Sequence, residues 1–245
     1  MVTWSARLRH AIGAALILSA CAHPAMVNAV EPVDFHVAAR RFDADLFRPS
    51  VAPRGTVVLA HGFLRDRQSL GALAVELADR GVLVVVPDLP FLADPVGNAA
   101  ALSAIVIDIR SGRFGPVPAR TVLIGYSAGG LASLLAAART PGITGWIGLD
   151  PVDRDGEGLH VAARVSAPAV ILRATPHACN AWANSHSWGS FLPRLSRDVL
   201  VHAATHCDFE NPGDPVCSAV CGAPDPQRQA AIRAEVAAAV EQWLR

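Results

Sequence analysis

Gly125-Tyr126-Ser127-Ala128-Gly129-Gly130 sets a serine between glycines two residues to either side. That spacing suits a sharp strand-to-helix turn, which lifts the hydroxyl clear of the backbone while the glycines let neighbouring segments come close. A serine hydroxyl is a poor nucleophile until a base takes its proton, and the base in turn needs a carboxylate to fix its tautomer. The chemistry expected is attack of Ser127 Oγ on an acyl carbon. Ser127 would also open a helix, where free N–H groups favour developing negative charge.

Among the nine histidines, His206 is the best placed base, because it follows the last expected strand and precedes the final helix. His10, His23 and His36 come before the sheet. His160, His177 and His186 are loop residues, with His186 the runner-up, and His202 falls inside the strand expected over 199–203. In chain order the carboxylate should lie between Ser127 and His206. The loop after the strand at 169–173 holds no acid, so the acid must come earlier, in Asp150-Pro151-Val152-Asp153. Asp150 is preferred because a strand end holds it rigidly; Asp153 is the competitor, with capping of the turn as its other use. Upstream, Ala60-His61-Gly62-Phe63-Leu64 suits an oxyanion hole, with the backbone N–H of Phe63, or else Leu64, acting together with that of Ala128. His61 itself is expected to be a structural hydrogen bonder.

The elements that must position these residues follow from periodicity. Short Val- and Ile-rich runs at 56–60, 82–86, 121–125, 143–149, 169–173 and 199–203 indicate strands buried on both faces. Apolar residues at helical spacing over 66–80, 97–111, 128–139 and 226–245 indicate the helices between and after them. Residues 33–40 suit an early antiparallel edge strand. This alternation predicts an α/β domain with a mainly parallel sheet, and such sheets carry their sites at the carboxyl ends of the strands. Residues 151–167 are too few for a large cap domain.

The amino-terminal stretch has a different purpose. Arg7 and Arg9 precede a short apolar run over 11–20, the pattern of a secretory signal. Leu18-Ser19-Ala20-Cys21 resembles the lipobox of bacterial lipoproteins, which makes Cys21 the expected lipidation site. Cleavage after Ala22 or Ala29 is the alternative. The organisation expected is a signal over 1–20, a linker over 21–32 and one domain over 33–245, exported and held at a membrane by its lipid anchor only. Cys179, Cys207, Cys217 and Cys221 then form an even set in an oxidising compartment. Pairing Cys179 with Cys207 and Cys217 with Cys221 is preferred, because the first pair would join two loops flanking the site. A zinc site from Cys207, Cys217, Cys221 and His206 matches no common spacing, so no metal or other cofactor is expected.

Taken together, these segments resemble the chlorophyllase family of α/β-hydrolases. The resemblance runs through His61-Gly62, residues 79–87, the turn at 125–130, the Asp150-Pro151-Val152-Asp153 segment, the 179–186 loop, and His206 with its following acids. It implies the α/β-hydrolase fold, hydrolysis of carboxylic esters, and Ser127, Asp150 and His206 as nucleophile, acid and base. Plant members commonly carry His and Arg around the serine, where this chain has Tyr126 and Ala128.

Twenty-one basic residues balance twenty-one acidic ones, so charge gives no reason to expect nucleic acid as a partner. With 52% hydrophobic residues in 245, one sizeable core is expected. The expected partner is a small or polymeric ester with a bulky or apolar part. An acyltransferase using an alcohol in place of water, and a non-catalytic binding protein on the same fold, are the alternatives.

Overall fold

A computed structural model of the chain describes residues 30–245. The expected signal segment, Cys21 and most of the expected linker lie outside the described residues. Among the described residues, no helix is long and apolar enough to cross a membrane.

Eight strands form one sheet: β1 (Val30–Val37), β2 (Arg40–Phe47), β3 (Thr56–Ala60), β4 (Leu83–Pro87), β5 (Thr121–Tyr126), β6 (Ile143–Leu149), β7 (Ala169–Arg173) and β8 (Leu195–Leu200). Their spatial order is β1-β2-β4-β3-β5-β6-β7-β8. From β4 through β8 all neighbours are parallel. β1 and β2 form an antiparallel hairpin on the β4 edge. The parallel part of the sheet begins at β3, steps to β4 on one side and then crosses to β5 on the other. A crevice therefore opens between the carboxyl ends of β3 and β5.

The described residues form six α-helices: α1 (Gly71–Asp79), α2 (Pro95–Arg110), α3 (Ala128–Arg139), α4 (Glu157–Ala162), α5 (Pro215–Cys221) and α6 (Pro226–Trp243). α2, α3 and α4 share one hydrophobic core with one face of the sheet. α1 and α6 share a second core with the other face. Central strands such as β3 and β4 are buried at every residue, which explains their unbroken apolar runs. Helix starts are fixed locally: Asp94, Asp214 and Asp225 each cap a following helix and each precedes a proline at its first position.

Two expectations need correction here. β8 spans Leu195–Leu200 rather than 199–203, so His202 lies beyond the strand, exposed in a turn. The stretch expected to be linker already contains the start of β1, which pairs Val30 with Phe47. Residues 151–167 hold only the short α4 and the turns around it.

Candidate active site

Ser127 occupies the turn between β5 and α3 with φ 54°, a left-handed conformation that is costly for a residue with a side chain. Close approach explains the glycines around it. A Cβ at Gly125 would lie 2.1 Å from the Gly129 carbonyl oxygen, and one at Gly129 would lie 2.3 Å from the carbonyl oxygens of Ala60 and His61. The turn is thus wedged against the end of β3. Ser127 donates its N–H to the Leu149 carbonyl at 3.0 Å and accepts at its own carbonyl from Val152 at 3.1 Å. Both bonds tie the serine to the end of β6 and the segment that follows it.

Asp150 is the first residue after β6. Its N–H donates to the Leu172 carbonyl at 2.7 Å, and its side chain is buried. His206 begins a short 3-10 turn, His206–Phe209, and is also buried. Its Nδ1 lies 2.6 Å from Asp150 Oδ2 and its Nε2 lies 3.0 Å from Ser127 Oγ. A carboxylate only accepts, so Nδ1 carries the proton and Nε2 is left as the acceptor for the serine hydroxyl. The Tyr126 ring packs against the imidazole with centroids 4.8 Å apart. Burial keeps the Tyr126 phenol protonated by pushing its pKa well above the usual range, with the Glu210 charge adding to the effect.

The other candidates go elsewhere. Asp153 accepts from the N–H groups of Arg154 and Gly158 and from the Trp188 indole at 2.7 Å, so it organises the start of α4. His186 is exposed and contacts Arg173. His160 and His177 are exposed as well.

Ala128 is the first residue of α3, so its N–H has no acceptor within the helix. Phe63, Leu64 and Ala128 line the same cavity as Ser127. Gly62 brings the Phe63 segment against the serine, since a Cβ there would lie 3.1 Å from Ser127 Cβ. His61 braces this segment: Nδ1 bonds the Gly62 carbonyl at 2.9 Å and Nε2 accepts the Leu89 N–H at 2.9 Å. Because one partner only accepts and the other only donates, both His61 bonds require a neutral ring protonated at Nδ1. Burial lowers its pKa, outweighing the opposing pull of the Gly62 carbonyl and nearby carboxylates.

The cysteine pairing differs from the expectation. Cys179 bonds Cys221, and Cys207 bonds Cys217. The reason lies in α5, which carries Cys217 and Cys221 four residues apart. Neighbours at that spacing have Cβ atoms about 5–6 Å apart, beyond the roughly 3.5–4.5 Å a disulfide accepts. Both thiols instead reach outward, one to the residue after His206 and the other to the residue before Asn180. All four sulfurs are committed to disulfides, which leaves none as a thiolate ligand for a metal.

Two supporting residues escaped the sequence analysis. Asn180, fully buried, donates its side-chain amide to both Asp150 oxygens at 3.2 Å each and to the Thr175 carbonyl at 3.1 Å. Arg65, just after the Phe63 segment, pairs through Nε with Glu210 Oε2 at 2.8 Å. Glu210 lies in the segment following His206, so this pair clamps the two walls together. Burial raises the Glu210 pKa, and Arg65 opposes that rise.

The cavity beside Ser127 has a volume of about 510 Å³. Leu89, Phe91, Leu92, Leu131 and Val152 give it an apolar wall, while Arg65 and Arg154 supply charge at its edges.

A twisted, mainly parallel sheet flanked by helices, with the strand-to-helix turn at Ser127, gives this chain the α/β-hydrolase fold. Among solved structures it is similar to a dienelactone hydrolase from Anabaena variabilis, at 18% identity and a TM-score of 0.71, covering 89% of this chain and 100% of that one. No protein-family model matches the chain, and no curated protein matches it.

Proposed function

We propose that this protein is a serine hydrolase of carboxylic esters. The observation that carries the reading is the relay from Asp150 through His206 to Ser127, with contacts of 2.6 and 3.0 Å. In this reading His206 Nε2 takes the Ser127 proton as Oγ attacks the ester carbonyl, and the N–H groups of Phe63 and Ala128 receive the oxyanion. The imidazolium returns its proton to the leaving alcohol, giving an acyl ester on Ser127. Water, deprotonated by the same imidazole, then releases the acid. The role of Asp150 is to hold the tautomer and stabilise the imidazolium. The apolar wall of the cavity favours esters with a bulky or apolar part, in keeping with the resemblance to chlorophyllases and with a neighbour of the same fold that is named as a hydrolase of a lactone.

Export and lipidation at Cys21 belong to the same proposal, supported by two disulfides in the folded domain. Mass analysis of the amino-terminal peptide from expressing cells tests it: a diacylglycerol on Cys21 is the expected result.

The activity is tested with a panel of p-nitrophenyl esters of increasing acyl length. Ser127→Ala should lower kcat by roughly 10⁴-fold or more, and a fluorophosphonate probe should label Ser127 alone. Equal hydrolysis by the wild type and the Ser127→Ala variant would end this reading.

A further inference from the structure

Ala181, Trp182 and Ala183 follow Asn180 with φ of 49°, 59° and 56°. Three consecutive residues with side chains in the left-handed region are costly, at about 1–2 kcal/mol each. A chain free to relax would leave that region, so the surroundings must hold it there. They do so at several points. The Trp182 N–H donates to the His177 carbonyl at 2.8 Å, the Ala183 N–H donates to Asn180 Oδ1 at 3.1 Å, and Cys179 is bonded to Cys221.

The result of this strain is an indole in the open: Trp182 is 72% exposed. Cys179 and Ala181, to either side of Asn180 in the same turn, line the cavity that contains Ser127. Phe63, Leu64 and Leu92, also lining that cavity, are each at least half exposed. Trp182 directly follows Ala181, a lining residue, and its ring meets the His177 ring at a centroid distance of 6.4 Å. A large apolar ring left in water next to an apolar cavity loses the burial that normally stabilises it, and a bound ligand that extends past Ala181 can restore that burial.

Resting on the ester-hydrolase reading above, we propose that Trp182 is a specificity-determining residue, held at the cavity rim by the left-handed turn as the platform for the bulky apolar group of the ester. Short esters leave the indole untouched, while long acyl or aromatic esters lie against it. Asn180 joins this platform to the chemistry, because the same side chain that fixes Ala183 also holds both oxygens of Asp150.

The test compares kcat/KM for p-nitrophenyl octanoate and p-nitrophenyl acetate in the wild type, Trp182→Ala and Trp182→Phe. The octanoate-to-acetate ratio should fall about five- to tenfold in Trp182→Ala, as expected for loss of one aromatic contact. Trp182→Phe, which restores an apolar ring, should recover most of the ratio. An unchanged ratio in Trp182→Ala would overturn the inference while leaving ester hydrolysis intact. Equal losses on both esters, unrepaired by phenylalanine, would also overturn it, since they would mark a structural role. A wild type that hydrolyses neither ester, with Ser127 unlabelled by a fluorophosphonate, would remove the hydrolase reading and this inference together.

Discussion

Asn180 and Asp150, thirty residues apart in the chain, meet in a buried contact in which one amide group bridges both carboxylate oxygens at 3.2 Å. Asp150 Oδ1 also accepts the Ala174 N–H at 2.9 Å, which leaves Oδ2 as the oxygen that meets His206. The carboxylate thus has little freedom to turn. Replacing Asn180 with alanine removes a buried donor and should cost about 1–2 kcal/mol, or roughly five- to thirtyfold in kcat, with KM little changed. Steady-state kinetics on a short ester, with a thermal melt to show that the fold persists, measure this. A fall in KM-dependent rates alone would mean that Asn180 serves the binding surface and not the acid.

The two disulfides should differ in what they hold. Cys207–Cys217 closes a separation of 10 residues and Cys179–Cys221 one of 42. On a chain-entropy view their contributions are about 3 and about 4 kcal/mol respectively. Denaturant unfolding of the two paired Cys→Ala variants should therefore show the larger loss for the 179–221 pair. Activity should rank the other way at temperatures where both variants are folded, because Cys207 adjoins His206 directly. Reduction of the wild type should lower activity before global unfolding appears by circular dichroism.

What the sequence revealed and what it hid have physical causes. β3, β6 and β7 lie inside the sheet, and each spans the residues expected from its largely apolar run. β8 is an edge strand that carries Arg197 and Asp198. Its polar residues masked it, so the apolar Val199 and Val201 drew the expected strand about four residues too far. β2 alternates buried Phe42, Ala44 and Leu46 with more exposed residues, a signal that was present. The turn before it, at Ala38 with φ 51°, lacks the Asn-Gly or Asp-Gly sequence that marks a tight hairpin. Ser127, Asp150 and His206 were legible because each follows a strand in a required chain order. Asn180 was not, since its partner is set by the folding of a loop and no spacing encodes that. The cysteine pairing was hidden for the same reason, because it depends on which way α5 turns its face.

His61 should make stability depend on pH. Its neutral ring satisfies both the Gly62 carbonyl and the Leu89 N–H, and burial holds its pKa below the ordinary value of 6.5. As pH falls, the unfolded chain therefore takes up this proton before the folded one does. The contribution is complete above 6.5 and is lost as pH drops through the lower, folded value. Urea unfolding between pH 8 and pH 5 should show declining stability, and His61→Gln should flatten that decline. A variant with the wild-type slope would assign the effect to other groups.

Arg65 and Glu210 offer the opposite sign. Glu210 is fully buried, and desolvation raises its pKa above 4.5 even with Arg65 beside it. A carboxyl raised on folding contributes stability that is present below its unfolded value and lost as pH rises. Removing Arg65 takes away the charge that limits the rise, leaving the carboxylate to ionise in a buried site without its main partner. Arg65→Ala should therefore be destabilised by about 3 kcal/mol at neutral pH, with the gap to wild type closing as pH falls toward 4.5. Adding Glu210→Gln should restore much of the neutral-pH loss, because a neutral amide needs no counter-charge. A double variant no more stable than Arg65→Ala would place the cost in the lost packing of the Arg65 side chain against the Phe63 segment, and not in the stranded charge.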